Sequence, residues 1–134
     1  MRKIVQAALA TAAVLGLAGA AEARRLPPEQ KLAKMLEGRV AGEPRDCLFL
    51  PSIRDSTVID KTAIVYEVGN VLWVNRPRTG AESLDDDDIL VTRLHTSELC
   101  SIDIVELHDR TSHFYDGFVG LGEFVPYRKV AARD

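Results

Sequence analysis

Residues 47–127 read as short runs rich in Val, Ile, Thr and aromatic residues, each broken within a few positions by Gly, Asn, Asp, Pro or Ser. That rhythm restricts the fold more than any other feature, because strands this short bury a face only by pairing and stacking in sheets. Strands are expected near 47–50, 53–59, 62–68, 71–75, 89–95, 100–107, 112–116 and 118–125. The clearest pair flanks Gly69-Asn70, which suits a two-residue hairpin turn because both residues accept positive φ. Such a turn opposes Val68 to Val71 and Tyr66 to Trp73, and puts Ile64, Tyr66, Val68, Val71 and Trp73 on one face. A turn at Asp60-Lys61 is expected to add Ile59 and Thr57 to that side. The expected class is mainly β: a small antiparallel barrel or sandwich with one short N-terminal helix. The helix is placed over residues 29–37, where Pro27 and Pro28 precede it, Leu32, Met35 and Leu36 share a stripe, and Gly38 stops it. Packing against a sheet is its expected use, since a membrane-surface helix would carry more basic and bulkier apolar residues.

Of the 134 residues, the first 23 read as an export signal rather than as fold. Arg2 and Lys3 open it, an apolar stretch runs from Ile4 toward Ala20, and Ala21-Glu22-Ala23 is a small-x-small cleavage site, with Ala18-Gly19-Ala20 a second. The stretch approaches the length of a membrane span. Its Ala and Gly content and the lack of a stop-transfer flank favour cleavage over anchoring. The remaining organisation is a leader and helix over 24–46, a β domain over 47–127 and a C-terminal tail over 128–134. No later segment is long and apolar enough to span a bilayer, so the mature protein is expected to be periplasmic or secreted. Its 111 residues carry 15 basic and 19 acidic side chains. A net charge of −4 argues against nucleic acid as a partner, because phosphate binding needs a basic surface.

Cys47 and Cys100 are the only cysteines. There is no Cys-x-x-Cys and no second pair to complete a tetrahedral metal site. In an exported chain the expectation is one structural disulfide closing a long loop.

The combination of Cys47, Ser52-Ile53-Arg54, Val58-Ile59-Asp60, Thr62-Ala63-Ile64, Val74-Asn75-Arg76, Leu99-Cys100-Ser101-Ile102-Asp103 and Gly120-Leu121-Gly122-Glu123-Phe124-Val125-Pro126 resembles a group of small exported proteobacterial proteins of unknown function. The resemblance covers residues 47–127. It implies the same exported β domain and carries no catalytic residue or cofactor with it.

The candidate chemistry centres on Asp85, Asp86, Asp87 and Asp88. Carboxylate oxygens suit a hard cation, and calcium is the ion an exported protein meets; no other cofactor is implied. An EF-hand loop is excluded, because counting from Asp85 its required glycine falls on Leu90. The competing reading is a solvated loop in which Arg76, Arg78 and Arg93 offset the repulsion. His108 and His113 have a spacing found in zinc sites but lack the other ligands, and His95 is expected to face water. No Gly-x-Ser-x-Gly elbow is present. The glycines of Gly117-Phe118-Val119-Gly120-Leu121-Gly122 lack the Lys-Ser or Lys-Thr ending of a phosphate loop, so they read as a bend or a close backbone approach. Ser101-Ile102-Asp103-Ile104 alternates as a half-buried strand does, and Arg54 with Asp103 is a candidate ion pair near the cysteines.

Together these features favour a non-catalytic domain that binds an unidentified protein or envelope component. Residues 76–88 are the expected interaction loop, with Arg76 and Arg78 at one end and Asp85, Asp86, Asp87 and Asp88 at the other. Two alternatives come from other classes: a hydrolase using the acidic loop with a histidine, and a secreted inhibitor of a cell-wall enzyme, the latter by fold-level analogy alone.

Overall fold

The computed structural model describes residues 25–130. The signal segment with its cleavage sites lies outside the described residues. Within them, helix α1 (Pro28–Met35) is followed by ten strands: β1 (Arg39–Ala41), β2 (Cys47–Phe49), β3 (Asp55–Ile59), β4 (Ala63–Val68), β5 (Val71–Asn75), β6 (Asp88–Thr92), β7 (Glu98–Cys100), β8 (Ile104–Asp109), β9 (Tyr115–Gly120) and β10 (Phe124–Lys129). They form three antiparallel sheets, ordered β1-β10-β5-β4-β3, β2-β7 and β6-β8-β9. The protein is mainly β with a sandwich-like arrangement. No barrel closes among the described residues, since β1 and β3 each pair on one side only.

The five-stranded sheet is covered on both faces. Val58, Ile64, Tyr66, Trp73 and Phe124 meet Leu48 and Leu99 of the two-stranded ribbon and Val105, Leu107 and Val119 of the three-stranded sheet. On the other face Ile59, Ala63, Val65, Leu72 and Val74 are covered by Leu32 of α1, with Met35 and Leu36 beside it. Burial on both faces explains why β4 and β5 read as near-continuous apolar runs rather than as alternating strands. The helix is therefore an inside-facing cover. It begins with Pro28 in the first turn, where a missing N–H costs nothing, and Gly38 follows it at φ +75°.

The Tyr66–Trp73 and Val68–Val71 pairs form as expected, and all five residues assigned to one face meet the same core. Only Gly69 of the turn has positive φ (58°), the sign pattern of a hairpin turn that starts on glycine. The preceding turn corrects the sequence reading. It has three residues, Asp60, Lys61 and Thr62, with Lys61 at φ 52°, so Ile59 pairs with Ala63 and Val58 with Ile64. One added residue reverses every side chain of β3: Val58 faces the sandwich, while Ile59 faces α1.

The expected strand over 100–107 is split. Cys100 ends β7, and Asp103 turns the chain by accepting the Cys100 N–H at 2.6 Å. Ser101 is buried, whereas Ile102 is 82 % exposed. Asp103 is thus unavailable to Arg54, whose partner across the sheet is Glu67. The expected strands at 112–116 and 118–125 become β9 and β10, separated by Leu121-Gly122-Glu123. β10 continues to Lys129 and pairs with β1, so the leader and the end of the chain meet in one sheet.

Cys47 and Cys100 oppose each other directly and are disulfide-bonded, with Cα atoms 4.0 Å apart. Among the described residues no helix is long and apolar enough to cross a membrane.

Candidate functional site

Residues 76–88 are more structured than their composition suggests. Thr79 pairs with Gly120 of β9, donating and accepting backbone bonds, and Ala81–Ser83 form a single 3-10 turn. A side chain at Gly120 would come within 2.6 Å of Thr79 Oγ1, which is the close approach the glycine run implied. Leu84 then inserts fully into the sandwich core. The loop is held at its middle, and the turn formed by Asp85, Asp86 and Asp87 beyond it is exposed.

That turn has a defined shape. Asp87 N–H donates to Asp85 Oδ1 at 2.9 Å, Asp88 N–H to the Asp85 carbonyl at 3.0 Å, and Asp86 N–H to Asp60 Oδ1 at 2.7 Å. Asp60, Asp85 and Asp86 each present an oxygen within 4.8 Å of the others. Asp85, Asp86 and Asp87 are exposed. Asp88 is not: it opens β6 on the parity of Leu90, the inward side, and is only 3 % exposed. Neither of its carboxylate oxygens has a hydrogen-bond partner. Burial, followed by the facing Asp116 carboxyl and then by Asp85, pushes the Asp88 pKa up to about 6.

The arginines expected to offset this charge are elsewhere. Arg76 pairs with Glu29 of α1 at 2.8 Å and Arg93 with Glu106 at 3.5 Å. Arg76 and Arg78 border a different cleft, beside Glu123. The loop therefore presents two separate surfaces rather than one two-signed surface. The cations near the carboxylates are Lys31, 3.9 Å from Asp86, Arg110, whose guanidinium reaches the Asp88 backbone carbonyl at 3.5 Å, and Arg25, which borders the hollow beside Asp60 and Asp85. Asp55, Ser56, Thr57 and Val58 of β3 and residues 86–90 border a groove of about 520 Å³. A second hollow of about 670 Å³ adjoins it, lined by Asp60, Asp85, Asp86 and Asp87.

No histidine lines either hollow. His108 opposes Ile89 on the other side of the β6–β8 pair and contacts Glu106 at 3.1 Å; His95 and His113 are exposed. Asp60, Asp116 and Lys31 belong to the acidic corner and were not singled out in the sequence, since each comes from a distant segment. Comparisons with family models, with curated proteins and with solved structures found no match.

The buried carboxyl has a pH consequence. A carboxyl whose folded pKa lies above its unfolded value of 3.8 supports the fold fully below that value and loses its contribution as pH rises through about 6. Glu29, held low by its hydrogen bond from Arg76, and Asp109, held low by the Ser112 and Thr111 N–H groups, act in the opposite sense. Between pH 4 and 7, Asp88→Asn should therefore gain stability relative to wild type as pH rises. Parallel urea titrations of the two proteins at several pH values test this, and a constant difference would refute it.

Proposed function

We propose that the mature chain is a periplasmic or secreted, non-catalytic binding domain, and that the acidic corner around Asp85, Asp86 and Asp87 is its binding surface. One observation carries this reading: the carboxylates of Asp60, Asp85, Asp86 and Asp87, with Asp55 and Asp88 beside them, line two adjoining hollows in which Arg25, Lys31 and Arg110 are the basic side chains. Like charges held by a defined turn repel, and an outside cation or basic group relieves that repulsion. The disulfide supports the export reading, because such bonds persist in oxidising compartments. A hydrolytic role has less support, since no histidine stands within the groove to accept or deliver a proton.

The test is a variant carrying Asp85→Asn, Asp86→Asn and Asp87→Asn, with Asp88 retained. These three side chains are exposed, so the thermal midpoint should change little. Capture of envelope or medium components by the immobilised protein should fall at least tenfold and should weaken with salt in the wild type. Capture that survives the triple change would place the binding surface elsewhere.

A further inference from the structure

We infer that the outward face of the β6-β8-β9 sheet, formed by Ile89, Val91, Ile104, Tyr115 and Phe118 around Glu106, is an interface on which a second copy of this chain packs face to face. The surface lies apart from the acidic corner, since of these residues only Ile89 borders its groove.

Strand register places the residues. Val105, Leu107 and Val119 point into the sandwich core, with Leu90 packed against them. Their neighbours along each strand point the other way. Val91, Glu106 and Phe118 form one row across the three strands, and Ile89, His108 and Tyr115 form the next. Ile104, opposite Gly120, lies diagonal to Phe118. An antiparallel sheet with one wet face alternates apolar and polar residues. Here Ile89, Val91, Ile104, Tyr115 and Phe118 make the outward side apolar as well. The five-stranded sheet shows what such a pattern requires, for its second apolar face is covered by α1. Among the described residues the β6-β8-β9 sheet has no such cover. Ile104, Tyr115 and Phe118 are 56, 58 and 48 % exposed, and Ile102 and Phe114, more exposed still, stand at the two ends of the β8–β9 pair.

Area, charge and edge geometry name the occupant. An aromatic side chain can cover roughly 150–250 Å², so the exposed parts of these residues amount to a surface on the order of 500 Å². A stable interface takes ~800 Å² from each partner, and in homodimers about 65 % of it is apolar, which is again ~500 Å². The face also carries one base beside one acid, Arg93 and Glu106, 3.5 Å apart, with Arg93 largely exposed. That pattern is complementary to its own copy: turned about a twofold axis, Arg93 of one chain meets Glu106 of the other. A partner of single-signed charge, such as an anionic lipid surface, finds no matching field there. The outer edge of β9 is closed, because Thr79 pairs with Gly120 and Gly80 lies against the Phe118 carbonyl. No strand can be added on that side, so the contact is one of stacked sheets, about 10 Å apart.

Sedimentation velocity of the exported protein, from low micromolar to near-millimolar concentration, should show a mass rising to twice that of the chain. Ile104→Thr combined with Phe118→Thr keeps strand-forming residues at both positions, so the circular dichroism spectrum should be unchanged while the dimer weakens at least tenfold. Arg93→Glu and Glu106→Arg each set like charges across the axis, and each variant should be monomeric alone. Mixed in equal amounts they should form a heterodimer, because every like-charge contact then becomes an opposed one. A wild type that stays monomeric throughout would overturn the inference. So would a dimer indifferent to the two threonines, which would lie on another face. Monomers that sediment with phosphatidylethanolamine–phosphatidylglycerol vesicles, and cease to do so with the threonines, would overturn it and give the face to lipid. A wild-type dimer beside a mixture that forms no heterodimer would remove the twofold arrangement, and the inference with it.

Discussion

Replacing both Cys47 and Cys100 by serine should lower the unfolding free energy by ~2–5 kcal/mol. The bond spans a sequence separation of 53 and ties two three-residue strands whose ribbon has no other sheet partner. A two-stranded ribbon is marginal by itself. Its contribution is to deliver Leu48 and Leu99 to the sandwich core, both of them buried. With the crosslink gone, the unfolded chain regains loop freedom and the ribbon relies on packing alone. Urea unfolding of the serine pair against wild type, with far-ultraviolet circular dichroism to check that the strands persist, measures the loss. A change below ~1 kcal/mol would mean that packing alone holds the ribbon.

Asn75→Ala should cost a comparable ~2–4 kcal/mol, because it strands two buried backbone groups at once. Asn75 is fully buried near the end of β5. Its Nδ2 donates to the Gly122 carbonyl at 2.7 Å, and its Oδ1 accepts the Gly122 N–H at 2.9 Å. This ring fixes the link between β9 and β10. It also explains Gly122, since a Cβ there would run into the Arg76 backbone carbonyl. Asn75→Asp separates the two bonds. It keeps an acceptor for the N–H and, when ionised, sets an oxygen against the carbonyl, so its deficit should shrink under acid as the carboxyl gains a proton. Equal deficits at pH 4 and pH 7 would refute that assignment.

What the sequence made legible was local. The β4–β5 hairpin could be read to the residue because Gly69 sets its turn and alternate residues set its face. The β3–β4 turn could not, because nothing about Lys61 announces positive φ, and one residue more or less reverses a strand. Residues 76–88 were misread as an open loop through attention to their charge; Leu84, lone and apolar beside the acids, was the signal that the segment enters the core. Asp88 was legible by the same parity that placed Leu90 inward, had β6 been started one residue earlier. The Asn75–Gly122 ring and the approach of Asp60 to Asp86 join residues far apart in the chain, and no local pattern encodes them.

The pairing of β1 with β10 has a consequence for how the molecule comes into being. The third strand of the main sheet's order, β5, receives one neighbour from β4 early in the chain and the other only from residues 124–127, near its end. Until that last strand is available, β5 presents an open edge whose residues belong inside, and the leader strand has nothing to pair with. A nascent or truncated chain stopping before Phe124 therefore lacks the piece that closes the sheet between its first strand and its hairpin. Pairing of β10 with β5 and with β1 joins segments far apart in sequence, and contacts of that kind carry a loop-closure cost that slows folding.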